Sequence, residues 1–455
     1  MSYYGRFLFQ VTQRLRRSGT LDILQAIRPE PDRPRAQILE RQFSRLSRLL
    51  ATAEAHVPYY REMFRSLGIQ SRDIRNLEDF AALPVLTKDI IRERQDDLLR
   101  EDVPKSKLMV GHSGGSTGVP LTFYRSRADL DACDAGTFRN CLQAGWKPGD
   151  MVAFIWGFNQ QLWDMPAWEF ELRQHLRRMY QFDPFHSSAE QMDRWVKKWK
   201  QIRPRVVIGY ASAVARFAEH VESTGQRVEP MLGAFTTAEK LYSTQREVIA
   251  RVFGCQVYNM YGSSEVNNIA CTCRLGKMHV SADCVVLEVD RKQALPGLPP
   301  PFIVTSLWNE VMPFIRYQNE DCGELLDGGC DCGNQFPLME LNIARVYDNF
   351  IMPDGRYVHG HFFTRVMEPT EGVANYQFRQ TSPESIILFI VPSLGDQAAR
   401  RESLRTVVEK IRKLDPYNRI SVEVRETDTI PLSPTGKHRF TISEVRPGTP
   451  SKVSG

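Results

Sequence analysis

The segment His112-Ser113-Gly114-Gly115-Ser116-Thr117-Gly118, followed by Val119-Pro120 and the strand-like Leu121-Thr122-Phe123-Tyr124, has the residue types of an oxyanion cradle. Its glycines let the backbone turn tightly and bring N–H groups close to an anion, and Ser113, Ser116 and Thr117 add hydroxyl donors. The GK[ST] ending of a Walker A loop is absent, so any phosphate chemistry here is of another kind. By itself the stretch reads equally well as a Gly/Ser-rich surface turn. A second constellation comprises Cys271, Cys273, His279, Cys330 and Cys332, the last two in a polar Cys-Asp-Cys-Gly knuckle that would make a poor core. Three thiolates and one imidazole close a tetrahedral zinc site, structural because no ligand position remains for water. The same residue types also suit reduced buried cysteines or a reactive Cys–His pair.

Three further segments follow the loop in order: Tyr258-Asn259-Met260-Tyr261-Gly262-Ser263-Ser264-Glu265, Arg316-Tyr317-Gln318-Asn319-Glu320-Asp321 and Pro434-Thr435-Gly436-Lys437-His438-Arg439. With the loop they resemble the core motifs of the adenylate-forming superfamily, and within it the phenylacetate–CoA ligase branch with its CapK-like members. His56-Val57-Pro58-Tyr59-Tyr60-Arg61, Pro84-Val85-Leu86-Thr87-Lys88, Gly209-Tyr210-Ala211-Ser212 and Ala238-Glu239 each resemble a landmark of that branch. The similarity runs from about residue 36 to 440, and ordered motifs over most of a chain are more specific than any one alone. The resemblance implies an ATP-dependent ligase that converts a carboxylic acid to an acyl-adenylate and passes the acyl group to coenzyme A (CoA).

The roles of individual residues are carried over from the resemblance. Ser113, Gly114, Gly115, Ser116, Thr117 and Gly118 would hold the ATP phosphates, and Glu265 a magnesium ion, a hard cation that suits an oxygen ligand. Tyr261 would stack near the adenine, Ser264 would reach a phosphate or the acyl carbonyl, and Glu239, Gly262 and Ser263 complete the nucleotide site. Asp321 would accept the ribose hydroxyls, with Glu320 as competing carboxylate, because Tyr-Gln-Asn-Glu-Asp stands where the family has Tyr-x-Thr-Gly-Asp. Arg345 would hold the ribose or a phosphate, although Ala344 replaces the usual glycine before it, and Asp348 or Asn349 would be the hinge. Lys437 would reach the α-phosphate and the acyl carboxylate once a small domain closes. Some members of the branch carry a Cys/His zinc site, and aligning Ala270-Cys271-Thr272-Cys273 with the family's Ala-x-Glu-Cys favours Cys273, His279, Cys330 and Cys332 as ligands. Cys133, Cys141, Cys255 and Cys284 read as small buried hydrophobes.

By the same resemblance the acid pocket would involve Trp156, Phe158, Tyr210, Ala211 and the segment from Phe235 to Thr237. Aromatic lining suits an aryl or apolar acid, while Asn159, Gln160, Gln161 and Asp164 leave a polar acid open. The segment Tyr357-Val358-His359-Gly360-His361-Phe362-Phe363 replaces the family's usual Val-Phe-Pro type sequence, so an amine or sugar acceptor is the alternative to CoA. His359 and His361, read as a pair in a strand, would then matter to catalysis.

The elements that must position these residues show in the periodicity. After Pro34, Ile38, Leu39, Phe43, Leu46, Leu49, Leu50 and Ala53 keep a helical rhythm that stops near Pro58. From about 150 to 306, strand-like runs (Val152 to Trp156, Val206 to Ile208, Gln256 to Met260, Phe302 to Ser306) alternate with helical stretches 188 to 202 and 243 to 253, the pattern of an α/β layered fold. After Asp348 come a short strand, a helix with Leu404, Val407, Val408, Ile411 and Leu414 on one face, and the strand-like run 420 to 425. The expected architecture is α/β: a large layered adenylate-forming domain over 1–348 with an N-terminal helical region, and a smaller α+β lid domain over 349–455.

The 455 residues exceed what one core usually serves, and 42% hydrophobic with 25% charged residues is an ordinary globular balance. A net charge of +5 spread along the chain is too slight to argue for nucleic acid, and no such partner is expected. Nine cysteines behind an N-terminus without a signal-like apolar run point to a reducing cytoplasm. No run approaches the roughly 18 apolar residues of a membrane span. Arg14, Arg16 and Arg17 near Phe7 and Phe9 read as a solvated helix end rather than a membrane contact. A homodimer stays open.

Overall fold

The computed structural model describes residues 3–28, 33–112, 121–157, 165–184, 188–238, 241–293, 300–343, 350–358, 360–367, 369–393, 397–430 and 440–445. Its frame is an 11-stranded sheet built in two halves. Strands Met179–Phe182, Val152–Ile155, Val206–Tyr210, Gly233–Thr237 and Gln256–Tyr261 pair in parallel, in that spatial order. Helices return the chain between them, as parallel pairing requires. The helix Ala189–Ile202 is capped by Ser188, whose hydroxyl accepts from the Gln191 amide at 3.2 Å, and it buries Met192, Trp195, Val196 and Trp199. The helix Ser243–Phe253 buries Val248, Ile249 and Phe253 and stops at Gly254, which takes φ 56°.

Strand Gln256–Tyr261 is where the sheet changes character. Beyond it, Ala270–Thr272, Met278–Val280, Leu338–Ile343, Tyr317–Leu326, Pro301–Ser306 and Val285–Val289 follow in antiparallel array. The expected alternation of strands and helices therefore holds only to Phe253. Short connections make antiparallel neighbours cheaper than crossovers from there on.

At the N-terminal side the helix Arg35–His56 buries Ile38, Gln42, Leu46, Leu49, Leu50 and Ala53, the helical spacing read in the sequence. Val57 ends it in extended conformation before Pro58, which opens the helix Pro58–Leu67 at a position where its missing N–H costs nothing. A hairpin of Met109–His112 and Thr122–Arg125, with His112 opposite Thr122, stands apart from the main sheet.

Residues after 350 build on a separate core containing Phe350, Val358, Phe363, Phe378, Leu388 and Ile411. Four strands in the order Ser421–Glu426, Ser385–Pro392, Val373–Ser382, Thr441–Ser443 make its sheet, with the helix Gln397–Arg412 contributing Leu404, Val407 and Ile411 to that core. Phe362 packs against both this core and the one under the parallel strands. The segment carrying the two histidines differs from expectation. The strand Tyr357–Val358 is short and the helix Gly360–Met367 follows at once, so His361 is helical, and His359 lies outside the described residues. The reason is the pairing of Phe362, Phe363, Val366 and Met367 at helical spacing, which puts Phe363, Val366 and Met367 into the core. Among the described residues no helix is long and apolar enough to cross a membrane.

Candidate active site

The parallel strands share a direction, so Trp156, Tyr210, Thr237 and Tyr261 reach one edge of the sheet, where open α/β sheets hold ligands. Gly209 sits where a Cβ would come within 2.7 Å of the Ile155 carbonyl, and glycine there lets the two strands close up. Trp156 then stacks on Tyr210 with ring centroids 4.1 Å apart. Trp156 keeps exposed surface, whereas Tyr210 is buried and Ala211 and Phe235 have none. Phe235 stacks face to face on Tyr258 at 4.8 Å, inside the main core.

Tyr261 closes its strand and enters a tight loop. The Ser263 amide donates to the Val266 carbonyl at 2.9 Å, and the Val266 amide donates to Ser263 Oγ at 3.0 Å. This turn leaves Ser264 exposed and Glu265 buried. A buried carboxylate needs partners, and Glu265 Oε1 accepts from the Tyr317 hydroxyl at 2.9 Å. The loop's Ser264 and Glu265 carbonyls accept from the Arg125 guanidinium at 2.6 and 3.0 Å. Arg125 is itself held by Asp129 at 2.9 Å. Arg125 ends the second strand of the hairpin, opposite Met109, so the hairpin that carries the Gly/Ser-rich loop is bonded to the Glu265 loop at the end away from that loop. Burial, with Arg365 of the helix Gly360–Met367 second, pushes the His112 imidazole below its ordinary value.

The strand Tyr317–Leu326 supplies the opposite wall. Successive side chains of a strand alternate between faces, and Tyr317, Asn319 and Asp321 share one. Tyr317 meets Glu265, while Tyr261 donates to Asp321 Oδ2 at 3.0 Å and accepts from Asn319 Nδ2 at 2.8 Å. On the alternate face Arg316, at φ 52°, pairs with Glu288 at 3.0 Å and donates to the Leu83 carbonyl. The Leu86 amide and carbonyl bond to Arg316 and Gln318, which ties the Pro84–Lys88 segment to this strand.

Tyr261, Gly262, Ser263, Ser264, Glu265 and Asp321 are thus brought together. The sequence motifs assign no role to Tyr317, Asn319 or Arg125. Period-two alternation from Asp321 would have found the first two, whereas Arg125 has no local signal. Ser113 to Gly118, Phe158, Glu239, Arg345, Asp348, Asn349 and Lys437 lie outside the described residues, as does the side chain of Glu320.

The ligand atoms of Cys273, His279, Cys330 and Cys332 lie within 4.8 Å of one another. Cys273 follows strand Ala270–Thr272, His279 sits on Met278–Val280, and the two remaining cysteines lie between Tyr317–Leu326 and Leu338–Ile343, with Leu338 opposite His279. Cys273 Sγ is 3.8 Å from Cys330 Sγ, and Cys332 Sγ is 3.4 Å from His279 Nε2. A tetrahedron with Zn–S near 2.3 Å and Zn–N near 2.0 Å has edges of about 3.8 and 3.5 Å, so the set fits. His279 Nδ1 bonds the Phe336 carbonyl at 3.1 Å, which leaves Nε2 for a metal. Burial pushes the Cys332 thiol up to about 12 and the His279 imidazole down. Cys271 is outside the set; it is buried and accepts from Gln143 at 3.3 Å.

No protein-family model matches the chain. It is similar to protein CapK of Staphylococcus aureus, 21% identical over 434 residues that cover 90% of each chain. It is also similar to the phenylacetate-coenzyme A ligase of Thermus thermophilus, 26% identical over 343 residues, 70% of this chain and 73% of that one. Among solved structures, 2-hydroxyisobutyryl-CoA ligase in complex with 2-HIB-AMP and CoA superposes with a TM-score of 0.58 at 21% identity, covering 91% of both chains. The ordered motifs, the relatives and the two-half sheet agree: the chain is a homologue of CapK and the phenylacetate–CoA ligases and has the adenylate-forming ligase fold.

Proposed function

We propose that the chain is an ATP-dependent acid–CoA ligase. The observation that carries this reading is the convergence of three motif segments at one sheet edge: the loop-bearing hairpin, joined through Arg125 to the Glu265 loop, and the Tyr261–Asp321–Asn319 network beside it. Ser113 to Gly118, with Glu239 and Arg345, hold the phosphates and ribose; Asp321 takes the ribose hydroxyls; Tyr261 and the Gly262-Ser263-Ser264 turn flank the nucleotide. Glu265 would hold a magnesium ion, which when bound would supply positive charge beside the phosphates. A substrate carboxylate oxygen, placed against Trp156, Phe158 and Tyr210, attacks the α-phosphate, pyrophosphate leaves, and Lys437 stabilises the developing charge. Residues 349–455, as a small domain, then turn about Asp348 or Asn349, and the CoA thiolate displaces AMP from the acyl carbonyl. Cys273, His279, Cys330 and Cys332 hold a structural zinc, supported by the edge lengths of the cluster.

Acid-dependent exchange of labelled pyrophosphate into ATP, run over aromatic, aliphatic, sugar and amino acids, tests the first half. Exchange with none of them overturns adenylation. Lys437→Ala is expected to lower exchange by roughly 10²- to 10³-fold while leaving ATP binding in place. Adding CoA or a panel of amines to the active acid tests the second half. Acyl-AMP that discharges onto an amine but never onto CoA replaces the thioester with an amide product.

A further inference from the structure

We propose that the chain carries a second ligand site, for a small polyanion bearing several phosphate or carboxylate groups, in the cleft between the N-terminal helices and the antiparallel half of the sheet. The cleft has a volume of about 1200 Å³, and none of Trp156, Tyr210, Tyr261, Glu265 or Asp321 lines it. It exceeds the roughly 300–1,000 Å³ of an ordinary small-molecule pocket, and its lining departs from the apolar norm of such pockets. Three helices turn polar stripes toward it: Tyr3–Leu15 supplies Arg6 and Arg14, Arg35–His56 supplies Arg41 and Arg45 one turn apart, and Arg127–Leu142 supplies Arg139 and Asn140. Arginine and lysine far outnumber carboxylates among the described lining residues, where the carboxylates are Asp22 and Asp283.

The deep end is built rather than incidental. Arg139 and Asn140 are 5% and 3% exposed, and Arg139 Nε and Asn140 Nδ2 are buried donors with no hydrogen-bond partner among the described residues. Unmet buried donors are costly, and an oxyanion supplies the acceptors they lack. Arg139 is preorganised by Ser281 at 2.7 Å, by an ion pair with Asp283 at 3.4 Å and by stacking over Phe336 at 5.1 Å, and Arg45 stacks over Trp308 at 4.1 Å. Fixed guanidinium planes of this kind favour bidentate oxyanion recognition. The number of cations and the size of the cleft call for a ligand with more than one anionic group. The inference does not depend on the acid-activation reading.

Isothermal titration calorimetry on the full chain tests it, with inositol hexakisphosphate as probe and ATP kept saturating so that the nucleotide site cannot answer for the cleft. The expected result is one probe per chain, with affinity that falls as salt rises. In Arg14→Gln/Arg41→Gln, whose replaced side chains are solvent-exposed at the rim, affinity should fall by about tenfold or more. An unchanged circular dichroism melt controls for folding. A parallel titration with citrate separates sources: binding by both probes supports an oxyanion site open to carboxylates, and binding by the hexakisphosphate alone supports a phosphorylated ligand. Absence of binding by either probe, or equal binding by wild type and the double variant, overturns the proposal.

Discussion

The Tyr261 hydroxyl bonds to Asp321 and Asn319 in a buried setting, so its removal subtracts one hydrogen bond from each. Tyr261→Phe should cost about 1–3 kcal/mol, visible as a lower thermal midpoint together with a raised KM for ATP. A changed midpoint with an unchanged KM would separate the network from the nucleotide. Glu265→Gln is a cleaner test, because an amide oxygen can keep the Tyr317 hydrogen bond while the negative charge is lost. The magnesium concentration for half-maximal exchange should rise by roughly tenfold or more, and an unaltered magnesium titration would remove Glu265 from the metal's ligands. The sequence exposed Glu265 and Asp321 because motif position marks them. It hid Arg125, because that residue acts on carbonyls 139 and 140 positions away, a relation that only the packed sheet creates.

At the scale of elements, the long helices were legible for a physical reason. Arg35–His56, Ala189–Ile202 and Ser243–Phe253 each bury one stripe and each have a definite end signal. Strands Ala270–Thr272 and Met278–Val280 have 3 residues each, too few for a period to register, and their identity rests on pairing with neighbours. These short strands are also where the Cys/His cluster joins two turns that are distant in sequence. The proposed closed metal site would act there as a clip between those turns. Protein purified without added metal should hold about one zinc per chain, and less than about half an equivalent argues against the site. Chelation, or Cys330→Ser, should release the zinc and lower the thermal midpoint by roughly 5–10 °C. Retention of zinc in Cys330→Ser would remove that residue from the ligand set.

For the whole molecule, separate cores lie on the two sides of residues 344–349, as the proposed movement of the C-terminal unit requires, and Phe362, with Arg365 acting on His112, marks where the two meet. Both halves of the proposed reaction need that unit, but in different orientations: one brings Lys437 to the α-phosphate, the other opens a path for the thiol. With the proposed pivot at Asp348 or Asn349, a few backbone dihedrals there would absorb the reorientation. Proline fixes φ near −65°, so Asp348→Pro should trap one orientation. If the trapped state is the adenylating one, pyrophosphate exchange stays within about twofold of wild type, while thioester formation from supplied acyl-AMP and CoA falls by roughly 10²-fold. Trapping of the other state reverses the pattern. Equal effects on both half-reactions, or none on either, would mean that the pivot lies elsewhere in the chain.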